Sequence, residues 1–514
     1  MRNVLVALLI TSTCFAQDTL LWHYSKTITG EELSTHVYTL ASDEMEGRFT
    51  GSRGLIKAQS YITGEFKEAG LEMPWIDSNR TYSQTFVLDQ CRWKDQRLAL
   101  NGEEFRVGKD FLFLSDPVDI RGDFPVIFAG FGIDDSLYSD FEGIDITGQI
   151  MLAFAGEPAD EEGRSLISGK KEISKKGYYF SKEAEAAERG AEGVFIISRK
   201  RSDYKEFLRN RKYYDPRPNI SYPGHDDDEF KERKQAFSAY MNMKTAARIV
   251  DQKPKSLLAA LEEMGSAGKT ASGRFRGRVS IEASSDCLTL QTANVIGLVE
   301  GTEMKDQAVV VVAHYDHLGK DHKGIYYGAD DNASGTAALM EVAEAFTLAA
   351  REGYRPRRTV VFLAASAEEL GLYGSKFYTQ NPLVPLDSTF ACVNIDMIGR
   401  AATRLADSPD YISGYAYISP DILEVHRSGA GLAAPDLEDR MEFRAHLRGG
   451  SDHYYFARHG IPSLFYFTGF HADYHETTDT PDKILYGRME KIARAIFITT
   501  WELANREEGL ETGN

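Results

Sequence analysis

From Asn294 onward the chain alternates apolar runs with longer amphipathic stretches. The runs "NVIGLVEG", "AVVVVAHYD", "TVVFLAAS", "FACVNIDMIG" and "PSLFYFTG" have the length and branched content of buried strands. Between them, "SGTAALMEVAEAFTLAAREG" and "EELGLYGSKFYTQ" carry helical periodicity. Apolar strands alternating with helices predict an α/β fold, a mostly parallel mixed sheet sandwiched by helices. In such sheets, sites lie at the carboxyl ends of the strands.

The charged residues fall at those ends. His314 and Asp316 follow one strand, Glu368 and Glu369 the next, and Asp396 a third. Asp330 and Asp331 sit in the loop before the first long helix. Downstream, "HADYHETTDTPDK" brings His471, Asp473, His475 and Asp479 after "LFYF". So many acids at one edge repel one another unless cations sit among them. Imidazole with carboxylate oxygen is a donor set that suits zinc. His317 and His322 read as ordinary loop residues.

Composition bounds the alternatives. At 514 residues, two or more domains are expected. Hydrophobic content of 42% and charged content of 26% are those of a globular protein. A formal charge of −18 argues against nucleic acid as a partner.

The N-terminus, "MRNVLVALLITSTCFAQ", has the order of a secretory signal: Arg2, an apolar core from Val4 to Ile10, and small residues before a cut after Ala16. The apolar part is shorter than the ~20 residues of a spanning helix, so no transmembrane segment is expected, and the protein is expected to be secreted, periplasmic or extracellular. Lipid anchoring through Cys14 is the alternative, disfavoured by Thr13. Removal of the signal leaves Cys91, Cys287 and Cys392. Cys392 reads as strand packing, while Cys91 and Cys287 are able to pair in an oxidising compartment, a question the sequence leaves open.

Helical spacing at Leu33, Val37 and Leu40, and again from Ala58 to Ala69, brackets the polar stretch "SDEMEGRFTGSRG". Thr85 to Phe113 reads as short strands, and the charged run Arg199 to Lys234 as a solvated loop.

The set "HYDHLG", "GADDNASG", "SAEELGLYGS", "NIDMIGR", "GGSDHYYF" and "DYHETTDTPDKI" resembles the M28 family of zinc peptidases, nearest its secreted aminopeptidase-type members. "GIDITGQIMLAFAGEP" and "AAERGAEGVFII" resemble, more loosely, an inserted, small, β-rich protease-associated (PA) domain. The implied organisation is a signal at 1–16, the N-terminal part of the catalytic domain at 17–114, the PA-like insert at 115–272, and the catalytic domain proper at 273–514.

The resemblance implies two zinc ions per chain bridged by Asp331, one also held by His314 and Asp396, the other by Glu369 and His475. It implies Glu368 as general base and Tyr474 as oxyanion donor. Asp316 would orient His314 from behind, and Asp479 would do the same for His475. Where similar enzymes carry an arginine before "SDH", this chain has Gly450, with Arg448 upstream. The expected activity is exopeptidase hydrolysis of peptides, foremost an aminopeptidase. The alternatives are an acidic-dipeptide carboxypeptidase, a one-zinc glutaminyl cyclase, and a non-catalytic receptor-like protein that would have lost its ligands. Oligomeric state is not legible.

Overall fold

The computed structural model describes residues 19–160, 162–214, 219–221, 236–267 and 270–511. The signal segment and Cys14 lie outside the described residues, as does "HDDDEFKERK". The described chain forms two compact units, 1–87 with 290–514, and 88–289. The chain passes from one to the other within two long strands, Ser83–Leu100 and Arg276–Val299. The expected insert at 115–272 therefore lies inside a longer unit that includes the flanking strand segments.

The first unit carries the long strand Arg276–Val299 (β1), Met304–His314 (β2), Arg358–Ala365 (β3), Thr389–Ile395 (β4), Tyr411–Tyr417 (β5), Glu438–Phe443 (β6) and Ser463–Tyr466 (β7). Their order across the sheet is β6-β5-β7-β4-β2-β3-β1. β3, β2, β4 and β7 run parallel, and β1 and β5 join them antiparallel. Four strands thus end at the same edge. β3 is buried along its whole length, as a strand covered on both faces must be. Helices Gly335–Arg351 (α1) and Tyr486–Asn505 (α2) cover one face, packing Phe346 against Phe497 and Trp501. Helices Gly30–Leu40 and Arg53–Ala69 add Leu33, Val37, Ile62 and Phe66 to the same core. Thr29 and Ser52 cap them through side-chain oxygens, and Gly70 ends the second in the left-handed region.

The second unit orders Ile120–Phe128, Ile150–Phe154, Gly193–Ile197, Phe237–Met241 and Phe111–Phe113 outward from the first part of β1. Its core is aromatic, built on Phe128, Phe154, Phe195 and Phe237. Within the charged run, Arg201–Tyr214 is a helix. Cys91 and Cys287 form a disulfide, while Cys392 is buried and free. Among the described residues, no helix is long and apolar enough to cross a membrane.

Candidate metal centre

β2 delivers His314 to the sheet edge, β3 leads into Glu368 and Glu369, β4 into Asp396, and the loop after β7 brings Tyr474 and His475. Asp331 arrives on the tight turn Ala329–Ser334 between β2 and α1, where the Asp331–Asn332 peptide is cis. Asn332 ties this turn to the end of β4: its Nδ2 donates to the Ile395 carbonyl at 2.9 Å, and its Oδ1 accepts from Gly335 and Met397.

The predicted ligands meet in two groups that share Asp331. His314 Nε2 lies 3.5 Å from Asp331 Oδ1 and 3.4 Å from Asp396 Oδ1. His475 Nε2 lies 3.1 Å from the other oxygen, Asp331 Oδ2, and 3.2 Å from Glu369 Oε2. Donors each 2.0–2.2 Å from one tetrahedral zinc stand roughly 3.3 Å apart, the spacing seen in both groups. Asp396 Oδ1 and His475 Nε2 are buried without a hydrogen-bond partner. Orphaned polar atoms of this kind require a partner the protein itself does not supply. The donor set fits zinc.

The electrostatics agree. Burial, and then the Glu369 carboxylate, push Asp331 up. Burial likewise raises Glu368 well above the usual carboxylate range, against the pull of His314 and with Glu369 and Asp396 pushing the same way as burial. Burial works against a proton on His475, yet Asp331 and Glu369 lift it to about 10. Such a cluster is short of positive charge, the condition that cations relieve.

Glu368 stands apart from the ligands. Its Oε2 is 3.9 Å from His314 Nε2, and it opens on a cavity of about 250 Å³ shared with Asp331, Asp396, Tyr474 and His475. Burial and the surrounding carboxylates raise the Tyr474 hydroxyl. A larger cavity of about 480 Å³ in the second unit has no histidine in its lining.

Two supporting roles differ from expectation. Asp316 turns its carbonyl to His314 Nδ1 at 3.2 Å, while its carboxylate, 3.8 Å from that nitrogen, accepts the backbone N–H groups of Glu368 and Glu369. It therefore sets the glutamate turn more than the imidazole. This also explains why the helix predicted over "EELGLYGSKFYTQ" starts only at Tyr373: the first residues close a turn on Glu368, with Leu372 in the left-handed region. Asp479 Oδ2 accepts from the backbone N–H groups of Asp330 and Asp331, so it holds the acidic turn and not His475. Asp330 faces away from the groups, taking Gly399 N–H and Ser334 Oγ and pairing with His471 Nε2 at 3.2 Å.

Sequence reasoning missed Arg48. Fully buried, it donates to the carbonyls of Leu40, Tyr315, Tyr327 and Gly328 and braces the loop after β2; burial lowers its guanidinium to about 10. Sequence reasoning also misjudged His317, which is 1% exposed and has its Nδ1 2.7 Å from Glu369 Oε1. Its position three residues after His314 was the only available signal.

The fold and the site define an α/β protein with residues able to hold a metal ion grouped at the carboxyl edge of its sheet. Residues 294–500 match the family described as Peptidase family M28, and they form an M28 peptidase domain. A probable zinc metalloprotease of Pyricularia oryzae is 31% identical over 198 residues, 37% of this chain and 36% of that protein. A probable glutamate carboxypeptidase of Arabidopsis thaliana is 29% identical over 198 residues, 37% of this chain and 27% of that protein. The matches thus span about a third of these relatives' own lengths. The solved aminopeptidase from Aneurinibacillus sp. strain AM-1 has the same fold, with a TM-score of 0.57 at 19% identity over 97% of this chain and 98% of its own.

Proposed function

We propose that the protein is a di-zinc exopeptidase, foremost an aminopeptidase that removes N-terminal residues from peptides. The observation that carries this reading is Asp331, whose two oxygens face different histidines, His314 at 3.5 Å and His475 at 3.1 Å. His314, Asp331 and Asp396 would hold one ion, and Asp331, Glu369 and His475 the other. Bound zinc would supply Lewis acidity, lowering the pKa of water and polarising a peptide carbonyl.

The side chains do the remainder. Glu368 takes a proton from the attacking water and returns it to the leaving amine. The Tyr474 hydroxyl donates to the oxygen that gains charge. Tyr417, His453, Phe465 and Phe467 stack along the cavity and offer an apolar wall to a substrate side chain. The carboxylates lining the same cavity favour a cationic α-ammonium over a carboxylate terminus.

Arg444 and Arg448 support a second reading. Both line this cavity, and Arg444 lies 3.4 Å over the Tyr415 ring. A pair of guanidinium groups suits a substrate carboxylate, as an acidic-dipeptide carboxypeptidase needs. On either reading, the leader at 1–16 makes the protein secreted, periplasmic or extracellular, and the second unit carries a PA-like insert.

A panel of aminoacyl-anilides, run with and without a chelator, tests the first reading: chelator-sensitive release is the expected result. Release of a C-terminal acidic residue from N-acetylated peptides, with the anilides untouched, would establish the second reading instead.

A further inference from the structure

Glu369 has an oxygen to spare. Its Oε2 faces His475, whereas its Oε1 is taken by His317 Nδ1 at 2.7 Å. That separation differs in kind from the 3.1–3.5 Å between the donors grouped around Asp331. It is the length of a charge-assisted hydrogen bond, and too short for two donors of one tetrahedral zinc, which stand roughly 3.3 Å apart.

The chain holds this ring in place from several sides. The His317 backbone N–H donates to the Arg48 carbonyl at 3.2 Å, and Arg48 is itself anchored on the carbonyls around it. The ring lies against Gly328, where a Cβ would come within 2.5 Å of Cδ2. Gly328 also has φ +55°, so both its backbone and the ring beside it require glycine. His317 Nε2 is buried with no hydrogen-bond partner. His317 Nδ1 is 3.8 Å from Asp331 Oδ2, beyond hydrogen-bond reach, so the hydrogen bond this imidazole makes is the one on Glu369.

We propose that His317 is a positioning residue for the second ion. By holding Glu369 Oε1 it fixes the carboxylate so that Oε2, together with Asp331 and His475, is presented to the metal. This rests on the two-zinc reading.

The test is zinc binding to the full chain, measured by competition with a chelator of known affinity, for wild type, His317→Gln and His317→Asn. The Asn amide nitrogen reproduces the position of Nδ1; the Gln amide nitrogen reaches past it. The expected result is that His317→Gln keeps the first ion and binds the second 10–100-fold more weakly, the usual loss when an outer hydrogen bond to a ligand is removed. His317→Asn should recover most of that affinity. Second-ion affinity of His317→Gln equal to wild type would overturn the proposal. So would a His317→Asn protein as weak as His317→Gln, since the imidazole would then be a ligand itself. Wild-type protein that takes up a single ion would instead overturn the two-zinc reading beneath it.

Discussion

Asp316 Oδ1 accepts the backbone N–H of Glu368 at 3.0 Å. The other oxygen accepts from Glu369 at 3.3 Å, so one buried carboxylate sets the turn that separates the two glutamates. Asp316→Ala leaves both part-buried N–H groups without this acceptor. A buried donor left unsatisfied costs about 1–3 kcal/mol. The variant should unfold at lower denaturant and bind zinc more weakly, as chemical denaturation and zinc titration will show.

That turn sends the two side chains in different directions. Both line the cavity, but Glu369 meets His475 and His317, while Glu368 Oε2 lies 3.9 Å from His314 Nε2. Glu368→Gln should keep its zinc and lose roughly 10²–10⁴-fold in turnover, the range for lost general acid–base catalysis. Substrate binding should change far less, because the loss belongs to the transition state. Glu369→Gln should instead lose metal and regain part of its activity with added zinc. Zinc content and steady-state kinetics on both variants distinguish the roles.

The adjacent pair Asp330 and Asp331 should separate in a different way. Asp331 faces both histidines, and Asp331→Ala should abolish turnover and weaken both ions. Asp330 spends its oxygens on Gly399, Ser334 and His471. Asp330→Ala should therefore act first on stability, by about 1–3 kcal/mol, with zinc still bound. A thermal melt beside an elemental analysis reads both effects.

How far the sequence reaches is visible in these residues. The apolar runs and their charged ends placed the parallel strands and the edge where the site forms, because burial on both faces leaves a continuous signal. The ligand positions proposed from the motifs converge at that edge. The strands Tyr411–Tyr417 and Glu438–Phe443 were not expected: Ser413 and Gly414 interrupt the apolar run of the first, and the charged, largely exposed residues of the second break the pattern. The contacts of Asp316, Asp479, Arg48 and His317 were illegible for a different reason. The first three join separate segments through backbone groups, and a backbone N–H or carbonyl has no identity in a sequence; His317 reaches a side chain on a different strand end.

The Cys91–Cys287 disulfide closes a span of 196 residues within the second unit. Cross-links of this kind contribute about 2–4 kcal/mol, chiefly by restricting the unfolded chain. Replacing both cysteines by serine should lower the thermal midpoint of the protein. Zinc content should be unaffected, as neither cysteine belongs to the metal groups.

The most direct test of the account is the number of ions bound. Asp331 divides its oxygens between His314 and His475, which is the arrangement of a bridging ligand. Elemental analysis of full-length protein saturated with zinc and freed of excess should give two ions per chain, and removal of either should abolish peptide hydrolysis. A single tightly held ion in a fully active enzyme would contradict the bridged site.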